Sequence, residues 1–457
     1  MQQQSNRSCV VEFIHSGWRG ALALTALLII PATSRAQDRD VTRRAGERPP
    51  DATALCGDGS YSFSTRPDIA CLGHLSIRKW FGSRPIAPVM TRAQPVLAKV
   101  DTVHVLRVDT VRIRGSTDTV MSTTGSRWFL RKVFFATDRA KDGPWTSGVA
   151  DEEDGFFDGK RASNSVMSFG SVDVSIPKTH KAGEIEHPAL YAVWSRPDAS
   201  RFMQIVNVTV GDEASLLNQI REDVQSAITN DVLVFVHGYN VGFRDALLRT
   251  AQLAWDLKFD GPAIAFSWPS RGDLGSYVID RNEAERSASN LRHFLDSVTA
   301  ATGADRVHVI AHSVGALVLG RALALAGAPT TRLRQVVLAA PDIDADVFTQ
   351  QIMPAFRAQA SSTTLYASSH DRALAAARYV VGGAQRAGEI RPAPVLAPGL
   401  DTIDASSAET DMLGHSVVFQ NRVLIDDLFN LVTENRSASN RRLRLEQSGT
   451  RQWWVVP

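Results

Sequence analysis

The sequence predicts a mixed α/β protein built on a mostly parallel sheet with helices on both faces. One observation is composition: 457 residues are 44% hydrophobic and 21% charged, with a formal net charge of +2. These are ordinary values for a soluble globular chain. They exclude collagen-like, coiled-coil and wholly disordered classes and offer no electrostatic case for binding nucleic acid. Another is a set of short apolar runs without polar alternation: VLVFVHG (232–238), AIAFSW (263–268), VHVIA (307–311), QVVLAAP (335–341) and TTLYAS (363–368). Between them lie helical patterns, such as Phe243, Leu247, Ala251, Ala254 and Leu257, then Ala284, Ala288, Leu291, Leu295 and Val298. Strands that are apolar throughout are buried on both faces, which a parallel sheet between helices provides. Right-handed crossovers put every strand-end loop on one edge, and ligands bind outside the carboxyl ends of the strands.

Residues 1–36 carry Arg7 and Arg19, a short apolar run from Ala21 to Ile30, and Ser34-Arg35-Ala36 before a cleavable bond. That is the pattern of an export signal, and the run is short of the roughly 20 apolar residues that span a bilayer. The chain is therefore expected to be exported, periplasmic or secreted, with anchoring by an uncleaved N-terminal segment as the alternative. Cleavage would remove Arg7, Arg19, Arg35 and Glu12, leaving a formally neutral mature chain. It would also remove Cys9, so that Cys56 and Cys71 remain; in an oxidising compartment a disulfide between them is the default. In the chain-entropy model such a loop stabilises by about 3 kcal/mol. Residues 37–51 read as a disordered linker and 52–83 as a small two-Cys module. Over 84–126, where Asp101, Asp109 and Asp118 each open an Asp-Thr-Val tripeptide, the alternation suggests an extended β linker. The α/β domain then occupies 127–435. Residues 436–457 form a basic tail with Arg436, Arg441, Arg442 and Arg444, expected to be solvated. Contact of this tail with an anionic membrane surface is the alternative.

Candidate chemistry gathers at the strand ends. VHVIA runs into Ala311-His312-Ser313-Val314-Gly315 and then an apolar helix. Small-x-Ser-x-small between strand and helix is the nucleophile elbow of the α/β-hydrolase fold, with Ala at the first small position. A serine needs a base, and the chain order of this fold is Ser, acid, His. Beyond Ser313 only His370 and His415 remain. His370 directly precedes Asp371, too early to follow an acid, so His415 is the expected base. The acid is either Asp371, after TTLYASSH, or Asp342, in APDIDAD; Asp371 is preferred because the later strand is the commoner source. If Asp342 is not the acid, it is expected to cap the helix beginning near Ala345. The backbone N–H groups of Tyr239, which follows His237-Gly238, and of Val314 would form the oxyanion hole, where one donor is worth about 3 kcal/mol in the transition state. His237 and His312 are expected to support the site by hydrogen bonding rather than hold a metal, since no HExxH or carboxylate–His cluster occurs.

The segments VFFATDRA, GEIEHP, VFVHGYNVGF, SWPSRG, HVIAHSVG, LAAPDIDADVF, LYASSHDRAL and LGHS resemble a family of mostly uncharacterised, esterase- or lipase-like bacterial α/β-hydrolases. The likeness covers about 300 residues. It implies Ser313 as nucleophile, Asp371 as acid and His415 as base, and a loop from Trp268 to Asp280 leaning over the site. The two-Cys segment resembles a small bacterial module of unknown function. The expectation is an exported serine esterase acting on a small-molecule or lipid ester without metal or cofactor. The alternatives are an amidase, thioesterase or acyltransferase with the same triad, or a non-catalytic envelope binding protein.

Overall fold

The computed structural model describes residues 128–141, 156–163, 166–187, 198–273, 275–325, 332–408 and 415–457, with short pieces at 41–44, 52, 54–56, 60–62, 77–80 and 118–119. The chain divides into two units, Met1–Val103 and His104–Pro457. In the first, β1 (Val41–Arg44), β2 (Ala54–Cys56), β3 (Ser60–Ser62) and β4 (Ile77–Trp80) form an antiparallel sheet in the order β1-β3-β2-β4. Val41–Arg44, expected to be disordered linker, instead pairs with β3: its β-branched Val41 and Thr42 favour extended backbone, and a ladder is available. The expected export signal and Cys71 lie outside the described residues, as does the side chain of Cys56. The expected disulfide therefore lies outside them too.

In the second unit, β5 (Asp118–Thr119) pairs with β6 (Trp128–Thr137), and a hairpin of β7 (Arg139–Lys141) and β8 (Phe157–Arg161) follows. Next come β9 (Ser168–Pro177), β10 (Gln204–Gly211), α1 (Glu213–Ser226), β11 (Asp231–Val236), α2 (Phe243–Asp256) and β12 (Ala263–Ser267). The chain continues through α3 (Tyr277–Ala301), β13 (Arg306–His312), α4 (Val314–Ala324), β14 (Leu333–Ala339) and α5 (Ala345–Val347), then a π-helical turn, Phe348–Ile352. It ends with α6 (Met353–Gln359), β15 (Ala360–Ala367), α7 (Arg372–Val380), β16 (Leu400–Asp404), α8 (Val417–Gln420), α9 (Arg422–Val432), β17 (Arg444–Ser448) and β18 (Arg451–Val455). The large sheet has the order β10-β9-β6-β12-β11-β13-β14-β15-β16-β18-β17. From β6 to β18 every neighbouring pair is parallel. Only the flanking pairs, among them β9–β10 and β17–β18, are antiparallel.

Successive residues of a strand face opposite sides. In β11, Val232, Val234 and Val236 join one core with α1, α3 and α4, while Leu233 and Phe235 join the other beneath α8 and α9. Both faces are covered by helices, so both registers must be apolar, which is why these runs show no alternation. The basic tail is not a solvated terminus. β18 pairs with β16, and β17 closes the edge. Arg436, Arg442 and Arg444 are exposed, whereas Arg441 is buried against Asp427 at 2.8 Å.

One buried ion cluster fixes the chain on the way to the site. The Nδ1 of His180 lies 2.9 Å from a Glu186 oxygen and its Nε2 3.0 Å from Asp256 Oδ1, so only the protonated ring satisfies both. Gly183, with φ +92°, rests on the Gln420 carbonyl at the end of α8, where a Cβ would come within 2.3 Å. Burial by itself would lower the His180 pKa, but the hydrogen bonds and charges of Asp256 and Glu186 outweigh it and push it to about 9. A pKa raised on folding contributes stability that is complete below about 6.5 and lost as pH rises through about 9. Denaturant titrations at pH 6.5 and 9.5 should therefore show the native chain losing up to ~3 kcal/mol more than His180→Gln. Equal pH dependence in the two proteins would remove this role from the cluster.

Candidate active site

The carboxyl ends of β11, β12, β13, β14 and β15 deliver His237, Trp268, Ser313, Asp342 and Asp371 to one edge of the sheet. Ser313 joins β13 to α4 with φ 52° and ψ −121°, in the left-handed half of the map that side chains seldom occupy. Its N–H donates to Ala339 O at 2.9 Å, and its carbonyl accepts from Ala316 and Asp342 N–H. The turn demands small neighbours. A Cβ on Gly315 would lie 2.3 Å from the His237 carbonyl, and one on Gly238 would lie 3.0 Å from Ser313 Cβ. The strained serine is thus wedged between the β11 loop and the β14 loop.

His415 precedes α8, and its Nδ1–H donates to Asp371 Oδ2 at 2.7 Å. The other Asp371 oxygen accepts from Leu374 N–H at 2.9 Å and caps α7, so a single buried carboxylate serves both groups. Beside them, His312 donates from Nε2 to the His415 carbonyl at 3.1 Å, with its ring 4.8 Å from that of His415. Burial first, then the His415 charge, holds the His312 pKa well below its usual value, so it serves as a neutral donor. Phe419 packs edge-on against His312 at 5.2 Å. His370 is exposed.

Asp342 is engaged elsewhere. Its Oδ2 accepts from the Tyr277 hydroxyl at 2.6 Å and its Oδ1 from Arg386 Nε at 2.7 Å. Arg386 and Arg281 also donate to its main-chain carbonyl. The histidine that reaches a carboxylate here, His415, bonds to Asp371 instead. Nor does Asp342 cap the helix at Ala345: the cap is Asp344, whose side chain accepts from Asp346 and Val347 N–H.

The side of the site formed by the β11 loop was only partly legible from the sequence. His237 is fully buried and stacks on Trp268 with ring centroids 5.1 Å apart and planes 8° from parallel. Trp268 Nε1–H donates to the His237 carbonyl at 2.7 Å. Arg139, buried just after β6, reaches four groups around this loop. It donates to Ser267 Oγ at 2.8 Å, Ser270 O at 2.7 Å, Val241 O at 2.8 Å and His237 Nε2 at 3.3 Å. Ser270 Oγ in turn donates to Asp280 at 2.6 Å. Burial lowers the Arg139 pKa to about 10, with Asp138 and Asp280 opposing, so the guanidinium stays charged at neutral pH. The site loop reaches back as well: Tyr239 donates its hydroxyl to Asp273 O at 2.9 Å and packs edge-on against Tyr277. Sequence reasoning did not single out Arg139, Ser267, Ser270, Tyr277, Arg281 or Arg386. The one available signal was a lone cation closing the apolar run VFFATDRA.

Among the described residues no cluster of three or more His, Cys, Asp or Glu could hold a metal ion, and no helix is long and apolar enough to cross a membrane.

Residues 212–433 match the family described as Alpha/beta hydrolase of unknown function (DUF900). Residues 49–81 match a Domain of unknown function (DUF3761). The Uncharacterized protein alr1448 of Nostoc sp. (strain PCC 7120 / SAG 25.82 / UTEX 2576) is 29% identical over a stretch covering 18% of this chain and 28% of that relative. The match thus spans less than a third of the relative's length. Among solved structures, a Lactobacillus plantarum WCFS1 protein whose name proposes a cell surface hydrolase aligns over 45% of this chain and 92% of its own. Its identity is 11% and its TM-score 0.27. A lipase-esterase related protein from Clostridium acetobutylicum ATCC 824 aligns over 45% of this chain and 90% of its own, with 12% identity and a TM-score of 0.22.

Proposed function

On the premise that residues 212–433 are an α/β-hydrolase domain, we propose that the chain is an exported serine hydrolase that cleaves carboxylic esters through an acyl-enzyme. The observation that carries this reading is the 2.7 Å bond from His415 to Asp371 beside a serine held at the left-handed elbow. Asp371 fixes the His415 tautomer with the proton on Nδ1, leaving Nε2 to accept the Ser313 proton. Ser313 Oγ attacks the ester carbonyl carbon, and the oxyanion that forms is held by the Tyr239 and Val314 N–H groups. Val314 opens α4, so its N–H has no intrahelical carbonyl, and among the described residues Tyr239 N–H bonds to no carbonyl. His415 then gives its proton to the departing alcohol, and water repeats the sequence to release the acid. An ester is favoured over an amide because its alcohol needs less help in leaving. The same reading takes residues 1–36 as a removable export signal.

The test is to treat purified protein with a fluorophosphonate probe and locate the adduct by peptide mass mapping. The expected result is a single adduct on Ser313, absent in Ser313→Ala, together with hydrolysis of p-nitrophenyl butyrate. Folded protein that takes up no label and hydrolyses no ester would overturn the proposal.

A further inference from the structure

Resting on that reading, we infer that Arg139 and His237 form a positioning relay that aims the Tyr239 N–H at the oxyanion. In a trans peptide the carbonyl of one residue and the N–H of the next point in opposite directions. Whatever fixes the Gly238 carbonyl therefore fixes the Tyr239 N–H. That carbonyl is held by His237, whose Nδ1 lies 2.8 Å from it and must donate. Nδ1 carries the proton only if Nε2 does not, and Nε2 faces the guanidinium of Arg139 at 3.3 Å and the Ser267 hydroxyl at 3.3 Å. A guanidinium has no lone pair to offer. It can only donate, so Nε2 must accept, and the tautomer is set.

The rest of the loop agrees with this function. Arg139 also takes the Val241 carbonyl, two residues beyond Tyr239, so one side chain holds both flanks of the donor peptide. Asn240, between them, has φ +58°, a turn that lifts the loop from β11. Trp268 closes the other side of the ring by stacking and by its bond to the His237 carbonyl. The ring cannot respond by protonating: burial foremost, then the Arg139 charge, lowers the His237 pKa to about 3. A buried, neutral imidazole between a fixed cation and a carbonyl acts as a one-way spacer that converts the position of Arg139 into the direction of an N–H.

The relay differs from mere packing in its dependence on a donor at the Nδ1 position. Asn places an amide N–H near that position and needs no tautomer; Leu fills the space without a donor. We expect His237→Asn to keep fluorophosphonate labelling of Ser313 and p-nitrophenyl butyrate kcat within about tenfold of wild type. His237→Leu should lose about 100-fold or more, the size associated with one oxyanion donor, with KM within about threefold. Arg139→Gln should fall between them. Melting curves establish that each variant is folded. In addition, ¹⁵N spectra of histidine-labelled protein, with the His237 signal assigned by its loss in His237→Asn, should show protonation at Nδ1 in wild type. His237→Leu with near-normal kcat, or equal losses in Asn and Leu, would overturn the relay, as would an Nε2–H signal. If wild type neither labels nor turns over, the serine-hydrolase reading fails, and the ¹⁵N arm alone decides whether the tautomer is as inferred.

Discussion

Asp371→Asn is expected to lower kcat on an ester by about 10⁴-fold while leaving the protein folded. The size follows from the double use of this side chain. Its Oδ1 caps α7 through Leu374 N–H, and Asn caps a helix about as well as Asp. The cap needs an oxygen, so the asparagine will keep its carbonyl on Leu374 and turn its amide nitrogen toward His415 Nδ1. An N–H facing Nδ1 forces the imidazole proton onto Nε2, where the ring cannot accept from Ser313. A cap that stabilises the variant thus guarantees the wrong tautomer. Steady-state kinetics and labelling rates measure the loss, and a melting curve reports that the fold survives. A kcat within tenfold of wild type would exclude Asp371 as the acid.

Asp342→Ala should show the opposite pattern, a destabilisation of about 3–5 kcal/mol. Asp342 is 1% exposed and Arg386 2%. Removing the carboxylate leaves a buried guanidinium without its 2.7 Å partner and the Tyr277 hydroxyl without its acceptor. An orphaned buried charge costs far more than an exposed pair contributes. The bond between His415 and Asp371 is untouched, so the folded fraction should keep kcat within about tenfold. Urea titration with parallel activity assays separates the two aspartates. Unchanged stability, or lost activity in folded Asp342→Ala, would reverse their assignments.

How much of this was legible in the sequence depended on how one-sided each segment's environment is. β11 to β15 are apolar on both faces, and their continuous runs mark them clearly. β17 and β18 carry Arg444, Glu446, Gln447, Arg451 and Gln452 because an edge hairpin needs only part of one face apolar, so the segment resembles a loose tail. The elbow was legible because sterics demand small residues at fixed offsets, as Gly315 against the His237 carbonyl shows. The two aspartates could be ranked only by strand order, because each follows a strand at the same sheet edge. What distinguishes them is the arrival of Arg386 and Tyr277 from distant segments, and no local pattern records that. Arg139 was missed for the same reason: a cation after an apolar strand reads as a surface residue until 267–270 and 237–241 close around it.

The terminal hairpin has a consequence for how molecules of this protein meet one another. A parallel sheet ending at β16 would present an open row of main-chain donors and acceptors to any neighbour. Pairing of β18 with β16 at Ile403 and Asp404 covers the carboxyl end of that row from within the chain. The new outermost strand, β17, is five residues long and carries Arg444 and Glu446 at its border with solvent. Short, charged borders are poor templates for further strand addition. The hairpin thus leaves a short, charged strand as the border of the sheet.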